Sequence, residues 1–156
     1  MLAAGASRRY GGVKQRELLP AVLDALRETS VTEIVVVEGA HELCVESAQA
    51  RLVRCEDWDQ GPGASLRCGL AALGPAVERA LVVLADGPDL DPRAVERVLE
   101  SDAPFAAATY DGTRSHPVLL ARSVWSVIPD AGGRALKPVL VDCSDLRPPG
   151  DVDVRR

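Results

Sequence analysis

Aromatic side chains are scarce, with one Phe, two Trp and two Tyr among 156 residues. Single-stranded nucleic acid is gripped by stacking its bases on aromatic platforms, so that mode is not expected. A basic excess is also missing. The net charge is −5, whereas a general nucleic-acid binder presents a basic face to phosphates. No apolar run approaches the roughly 20 residues that a membrane-spanning helix needs. The short apolar start precedes its arginines instead of following them, so no secretory leader is expected. Cys44, Cys55, Cys68 and Cys143 form no Cys-x-x-Cys pair and no zinc spacing. Reduced thiols in a cytoplasmic protein are the expectation. The Gly-Lys-Ser/Thr of a Walker A loop and the Gly-x-Gly-x-x-Gly dinucleotide pattern are both absent.

What is present suits one domain over residues 1–156. Hydrophobic residues make up 47%, and Val, Leu and Ala must fill the core. Met1 to Ala4 reads as a short strand. A helix over Leu18 to Glu28 follows from Leu19, Val22, Leu23 and Leu26 at three- and four-residue spacing. Ile34-Val35-Val36-Val37 is a β-branched run of the kind covered on both faces. A second helix is expected from His41 to Ala50 and a weak strand at Leu52-Val53. After a loop from Cys55 to Ala64, Ser65 is expected to cap a helix lined by Leu66, Leu70 and Leu73. Ala80 to Ala85 reads as an all-apolar strand ending in Asp86-Gly87-Pro88-Asp89, with a Pro92-led helix through Val95, Val98 and Leu99 behind it. Strands at Phe105 to Tyr110, His116 to Leu120 and Val139 to Asp142 complete the set. Asp111-Gly112 is a turn signal, and a helix is expected at Arg122 to Ile128. Strands alternating with helices predict a three-layer α/β/α, Rossmann-like fold with a mainly parallel sheet.

In such sheets ligands bind beyond the carboxyl ends of the strands. Two features fall there. The stretch Met1-Leu2-Ala3-Ala4-Gly5-Ala6-Ser7-Arg8-Arg9-Tyr10-Gly11-Gly12-Val13-Lys14 is a Gly- and Ser-bearing loop closed by cations. Its glycines allow close backbone approach, and its exposed N–H groups suit an anion. Asp86 ends the apolar strand, and with Asp153 it offers carboxylates for Mg²⁺, which is held by one or two carboxylates plus substrate phosphates. Read singly, Lys14 is a surface lysine, Ser65 a helix cap, His116 a strand-edge residue and Trp58 a cover for the core. Their chain order joins them.

That order resembles the molybdopterin nucleotidyltransferase-like family, and within it the molybdenum cofactor cytidylyltransferases. The family's opening Leu-Ala-Ala-Gly-x-Ser-x-Arg-Met/Phe-Gly-x-x-Lys is matched by Leu2, Ala3, Ala4, Gly5, Ser7, Arg9, Gly11 and Lys14, with Tyr10 in the Met/Phe position. The segment Gly61 to Gly69, containing Gly63 and Ser65, is similar to its base-recognition loop. Asp86-Gly87-Pro88 resembles its metal motif, His116-Pro117-Val118-Leu119 its acceptor-side strand, Gly132 to Leu136 its Gly-Ala-Arg turn, and Asp151-Val152-Asp153 its ending. The chain departs from the pattern at Cys55, Glu56 and Gly87. It also runs from Gln15 into Arg16-Glu17-Leu18 without the family's usual hairpin.

The resemblance implies a nucleotide-diphospho-sugar transferase-like fold. It implies that Leu2, Ala3, Ala4, Gly5, Ser7, Arg9, Lys14, Gly63 and Ser65 hold a nucleoside triphosphate, and that Arg9, Lys14 and Asp86 are catalytic. Asp86 and Asp153 would hold Mg²⁺, and His116 would lie on the acceptor side. An acceptor phosphate such as that of molybdopterin would attack the α-phosphate and release pyrophosphate. Ala3-Ala4-Gly5 and Ala64-Ser65-Leu66 favour CTP, whereas Pro62 is shared with the GTP-using relatives. Other phosphorylated acceptors stay open, as does a nucleotide-binding or cofactor-chaperone module without turnover.

Overall fold

The β-branched run forms the first strand of a computed structural model that describes residues 1–7, 10, 12–45 and 50–151, with the side chains of Arg134 and Ala135 left aside. This strand, β1 (Ile34–Glu38), is buried along its whole length and pairs in parallel with β2 (Ala50–Arg54). Residues Met1 to Ala4 lie on its other side. Ala3 N–H donates to the Val37 carbonyl (2.9 Å) and Val37 N–H to Met1 (3.0 Å). Leu2 meanwhile turns its N–H to the Val83 carbonyl (2.9 Å) and accepts from Ala85 N–H (3.0 Å).

β3 (Arg79–Val82) starts one residue before the apolar run expected as a strand over Ala80 to Ala85 and covers only its first half, while Val83 and Ala85 pair with Leu2. Beyond it come β4 (Phe105–Tyr110), β5 (Thr113–Ala121) and β6 (Val139–Asp142), in the spatial order β3-β5-β4-β6. The β4–β6 pair is parallel, whereas β5 is antiparallel to both of its neighbours. The reason is local: Asp111 and Gly112 both take positive φ (50° and 77°), the geometry of a tight hairpin. A hairpin reverses direction, so β4 and β5 cannot be parallel.

Side-chain parity assigns the layers. On β1, Val36 packs with Leu19, Val22, Leu23 and Leu26 of α1 (Lys14–Arg27). Val35 and Val37 face the other way, toward Cys55, Cys68, Ala72 and Trp58. Leu66 and Leu70 of α2 (Pro62–Ala71) pack on that second face against Ala80, Val82, Ala107 and Val118. Val95 of α3 (Pro92–Leu99) joins the α1 side, and Ala94 and Val98 pack on Ala106, Ala108 and Leu119. Helices cover both faces of a mainly parallel sheet, as the strand composition predicts. Full burial of a Val or Leu stabilises by roughly 1.5–3 kcal/mol, so these strands hold the frame.

Several elements differ from the sequence-based expectation. The first long helix begins at Lys14 rather than Leu18, with no hairpin between loop and helix. The helix expected over His41 to Ala50 does not form over residues 41–45, and residues 46–49 lie outside the described set. There the Glu38 carboxylate takes the Leu43 N–H at 2.7 Å and the Ala4 carbonyl takes the Ala40 N–H, which anchors the chain in an irregular path. Ser65 does not cap α2. The helix begins already at Pro62, because Gly61 at φ 114° makes the entry and Pro62 has the fixed φ suited to a first turn. The helix expected at Arg122 to Ile128 is a 3-10 helix over Arg122–Val127. For α3 the reading holds, with the Asp91 side chain capping through Arg93 N–H at 2.9 Å.

The Met1 nitrogen is buried and donates to the Val35 carbonyl at 2.7 Å, which extends the pairing of the opening segment with β1.

Candidate active site

The opening loop leaves the sheet at Gly5, at the carboxyl end of the Met1–Ala4 segment. Its carbonyls are fastened from outside. Ala40 N–H donates to Ala4, Gln15 Nε2 to Gly5 at 2.8 Å, and His41 Nε2 lies 3.1 Å from the Ala6 carbonyl. Among the described residues, no hydrogen bond takes the N–H groups of Gly5, Ala6 or Ser7. Ser7 holds a left-handed φ of 50°, unusual for a residue with a Cβ. Such a conformation costs on the order of 1–3 kcal/mol and persists where neighbours over-determine it. Here the Ser7 hydroxyl donates to Gln15 Oε1 at 2.6 Å, and its carbonyl accepts from Tyr10 N–H at 3.0 Å.

Lys14 stands in the first turn of α1, so the helix sets its direction. Its Nζ lies 2.7 Å from Asp86 Oδ2 and 3.8 Å from Asp151 Oδ1. The lysine side chain is 12% exposed and Asp86 23%, whereas Asp151 is 68% exposed. The lysine and the carboxylate after β3 therefore meet on one cleft of about 610 Å³. Leu2 to Ser7, Tyr10, Lys14 and Gln15 line one side, Leu84 to Asp86 the floor, and Trp58, Asp59, Gly61, Pro62 and Ser65 the far wall. Its size lies within the roughly 300–1,000 Å³ of small-molecule sites.

The donor set fits a hard divalent cation. Asp86 offers oxygen ligands beside the loop, and such ions are completed by substrate phosphates and water. Among the described residues no three His, Cys, Asp or Glu converge as a metal cluster. The four cysteines are free. Burial, then the neighbouring Cys55 thiol, pushes Cys68 up to about 11, so it stays protonated at neutral pH and is a poor nucleophile.

The structure thus brings Leu2, Ala3, Ala4, Gly5, Ser7, Lys14, Ser65 and Asp86 to one cleft. Gly63 is not on it. Its N–H donates to the Asp130 carbonyl at 3.0 Å, and a Cβ there would meet the Pro129 carbonyl oxygen at 2.2 Å. Gly63 is therefore a close-packing residue behind the wall. His116, on β5, is not among the lining residues either, and its carbonyl accepts from the Tyr110 hydroxyl at 3.3 Å. Arg9 and Asp153 lie outside the described residues. Sequence reasoning passed over Gln15, Gly39 and His41. A Gln beside a Lys reads as solvated, and only the fold reveals that it is 3% exposed.

The cleft is large enough for a nucleotide, and the opening loop and the Lys14–Asp86 pair border it at the strand ends. The chain matches the MobA-like NTP transferase domain over residues 1–143 and belongs to that family. Among solved structures, Rv0371c from Mycobacterium tuberculosis H37Rv has a TM-score of 0.78 at 25% identity, covering 98% of this chain and 90% of that one. The same mycobacterial protein has been solved in complex with manganese (TM-score 0.68, 21% identity, 90% and 85% covered). Molybdopterin-guanine dinucleotide biosynthesis protein A from Archaeoglobus fulgidus gives a TM-score of 0.60 at 17% identity, over 94% and 83% of the two chains. 2-C-Methyl-D-erythritol 4-phosphate cytidylyltransferase from Thermus thermophilus gives 0.63 at 18%, over 90% and 86%. Likeness at such low identity speaks for the shared fold. No curated protein matches the chain by sequence.

Gly39 allows the far wall to close. A Cβ at this position would lie 2.5 Å from Trp58 Cβ and 2.8 Å from Ala4 Cβ. Gly39→Ala is therefore expected to cost about 1–3 kcal/mol, the usual range for overpacking, measured by urea unfolding. It should also weaken nucleotide binding, because both displaced residues line the cleft. An unchanged midpoint would contradict the packing.

Proposed function

We propose that this nucleotidyltransferase transfers CMP from CTP to a phosphate-bearing acceptor such as molybdopterin, with Mg²⁺ as cofactor and release of pyrophosphate. The observation that carries the reading is the convergence of Lys14 and Asp86, at 2.7 Å, on the cleft that the opening loop borders. A module that only bound nucleotide would need the loop but not a carboxylate paired with its lysine.

Phosphoryl-type transfer is mostly positioning and charge stabilisation. In this reading the N–H groups of Gly5, Ala6 and Ser7 receive the phosphate oxygens, and Lys14, with Arg9 from the loop, balances the charge that grows on the leaving pyrophosphate. Asp86 and Asp153 hold the cation. When bound, the cation supplies Lewis-acid stabilisation of the α-phosphate and neutralises triphosphate charge. The acceptor phosphate is itself the nucleophile, so no side chain is asked to form a covalent intermediate. Ser65 and the Gly61–Pro62 entry of α2 bound the base end. Pro62 is also the residue that keeps a GTP-using reading alive. Residues 1–156 act as one domain in this scheme, and no described helix is long and apolar enough to cross a membrane.

The test is pyrophosphate release with CTP, GTP, ATP and UTP, each with and without molybdopterin, in Mg²⁺ and in EDTA. CTP with acceptor and Mg²⁺ is expected to give turnover. Lys14→Ala should lower kcat on the order of 10²–10³-fold, the range for removing one transition-state donor. Asp86→Asn should abolish cation-dependent turnover while the circular dichroism spectrum is preserved. Nucleotide binding without turnover for any nucleotide and acceptor, or a fully active Asp86→Asn, would overturn the proposal.

A further inference from the structure

We infer that Gln15 is a positioning residue that holds the opening loop in its anion-receiving shape. The neighbouring residue, Lys14, directs its ammonium to the cleft, whereas Gln15 sits one helical step on with its residue 3% exposed. Both polar atoms of its amide are engaged, and both reach the same loop. The Gly5 carbonyl can only accept, so it faces the amide NH₂ of Gln15, at 2.8 Å. The amide oxygen then accepts the Ser7 hydroxyl at 2.6 Å. One side chain therefore pins two loop residues that flank Ala6. One of them, Ser7, is held at φ 50°.

In a planar trans peptide the C=O and N–H point in opposite directions, so drawing the Gly5 carbonyl toward Gln15 of α1 turns the Ala6 N–H away from that helix. The N–H groups of Gly5, Ala6 and Ser7 have no partner among the described residues. A preorganised set of donors costs little reorganisation when an anion arrives. Gln15 does not itself need to touch the ligand. Any other side chain of its length breaks at least one pin: Glu presents an acceptor to a carbonyl, and Met offers no hydrogen bond at all.

This inference rests on the reading of the loop as a phosphate site, and the experiment keeps the two apart. Gln15→Met, Gln15→Glu, Ser7→Ala and the Ser7→Ala/Gln15→Met double variant are compared with wild type at a fixed interval below each melting temperature. Tripolyphosphate and CTP binding are measured by calorimetry, and exchange of the Gly5, Ala6 and Ser7 amides by NMR without ligand. Weakening of both ligands by about tenfold or more (~1.4 kcal/mol) is expected in Gln15→Met. The double variant should be little worse than that, because both substitutions break one network. KM for the nucleotide should rise more than kcat falls. The loop amides should exchange faster, while amides in β4 and β5 keep their relative protection. Should Gln15→Met fail to fold, Gln15→Glu carries the same expectations.

Equal binding and equal loop exchange in the variants would overturn the role of Gln15. Loss of binding with unchanged loop exchange would overturn it too, since the effect would then not pass through the loop. If wild type binds neither tripolyphosphate nor any nucleotide, the functional reading fails. In that case the amide exchange alone decides whether Gln15 braces the loop.

Discussion

Two ladders meet on Leu2. It shares bonds with Val83 and Ala85 on one side, while the residues around it, Met1 and Ala3, bond to Val37 on the other. Without that short segment the β1–β2 pair and the four strands that follow would be separate sheets. Everything in the cleft is referred to this join. The opening loop leaves it directly, Asp86 follows the strand on one side, and Gly39 and Trp58 close over it from the other. The strand ends are fixed by backbone bonds on both flanks, so the loop begins from a defined point even though the segment is short.

The electrostatics of the cleft follow from that placement. Lys14 is anchored in the first turn of a helix whose inner face, Leu19, Val22, Leu23 and Leu26, is fully covered. Its ammonium cannot wander far from the carboxyl ends of the strands. Asp86 occupies the same ground from the sheet side. A mutual ion pair between them balances both charges, which avoids leaving a partly buried charge uncompensated. The arrangement also keeps both groups at the edge of the cleft, where a polyanion and a cation can each claim one of them.

The parts of this design that rest on local pattern could be read from the chain. Ile34 to Val37 is an unbroken β-branched run and Phe105 to Tyr110 is apolar but for Thr109, and both are strands. Pro92 reads as a first-turn proline, and a helix starts there. The loop motif and Asp86 were likewise visible as chemistry at strand ends. What depends on distant contacts was not. The charged stretch Lys14 to Glu17 hid the start of α1, since contacts that fix it, Lys14 with Asp86 and Arg16 with the Glu42 carbonyl, are made with residues distant in sequence. His41 to Val45 has helical composition but is held irregular by Glu38 and Ala4. Ser65 looked like a cap because nothing in sequence says that Gly61 adopts φ 114°. Gly63 matched a recognition loop, yet its missing side chain serves the Pro129–Asp130 backbone. The direction of β5 was implicit in Asp111-Gly112, though it takes the pairing partner to make it plain.

One packing detail has an optical corollary. The chain carries two tryptophans, and they report on different places. Trp125 lies under the Arg122 guanidinium (4.6 Å) and donates to the Leu120 carbonyl at 3.2 Å, away from the cleft. Trp58, pressed over Gly39, forms part of the cleft wall itself. Its indole is therefore a native chromophore placed where a ligand would change its surroundings, and Trp125 is an internal reference in the same spectrum. The protein carries its own binding signal, with no label to attach.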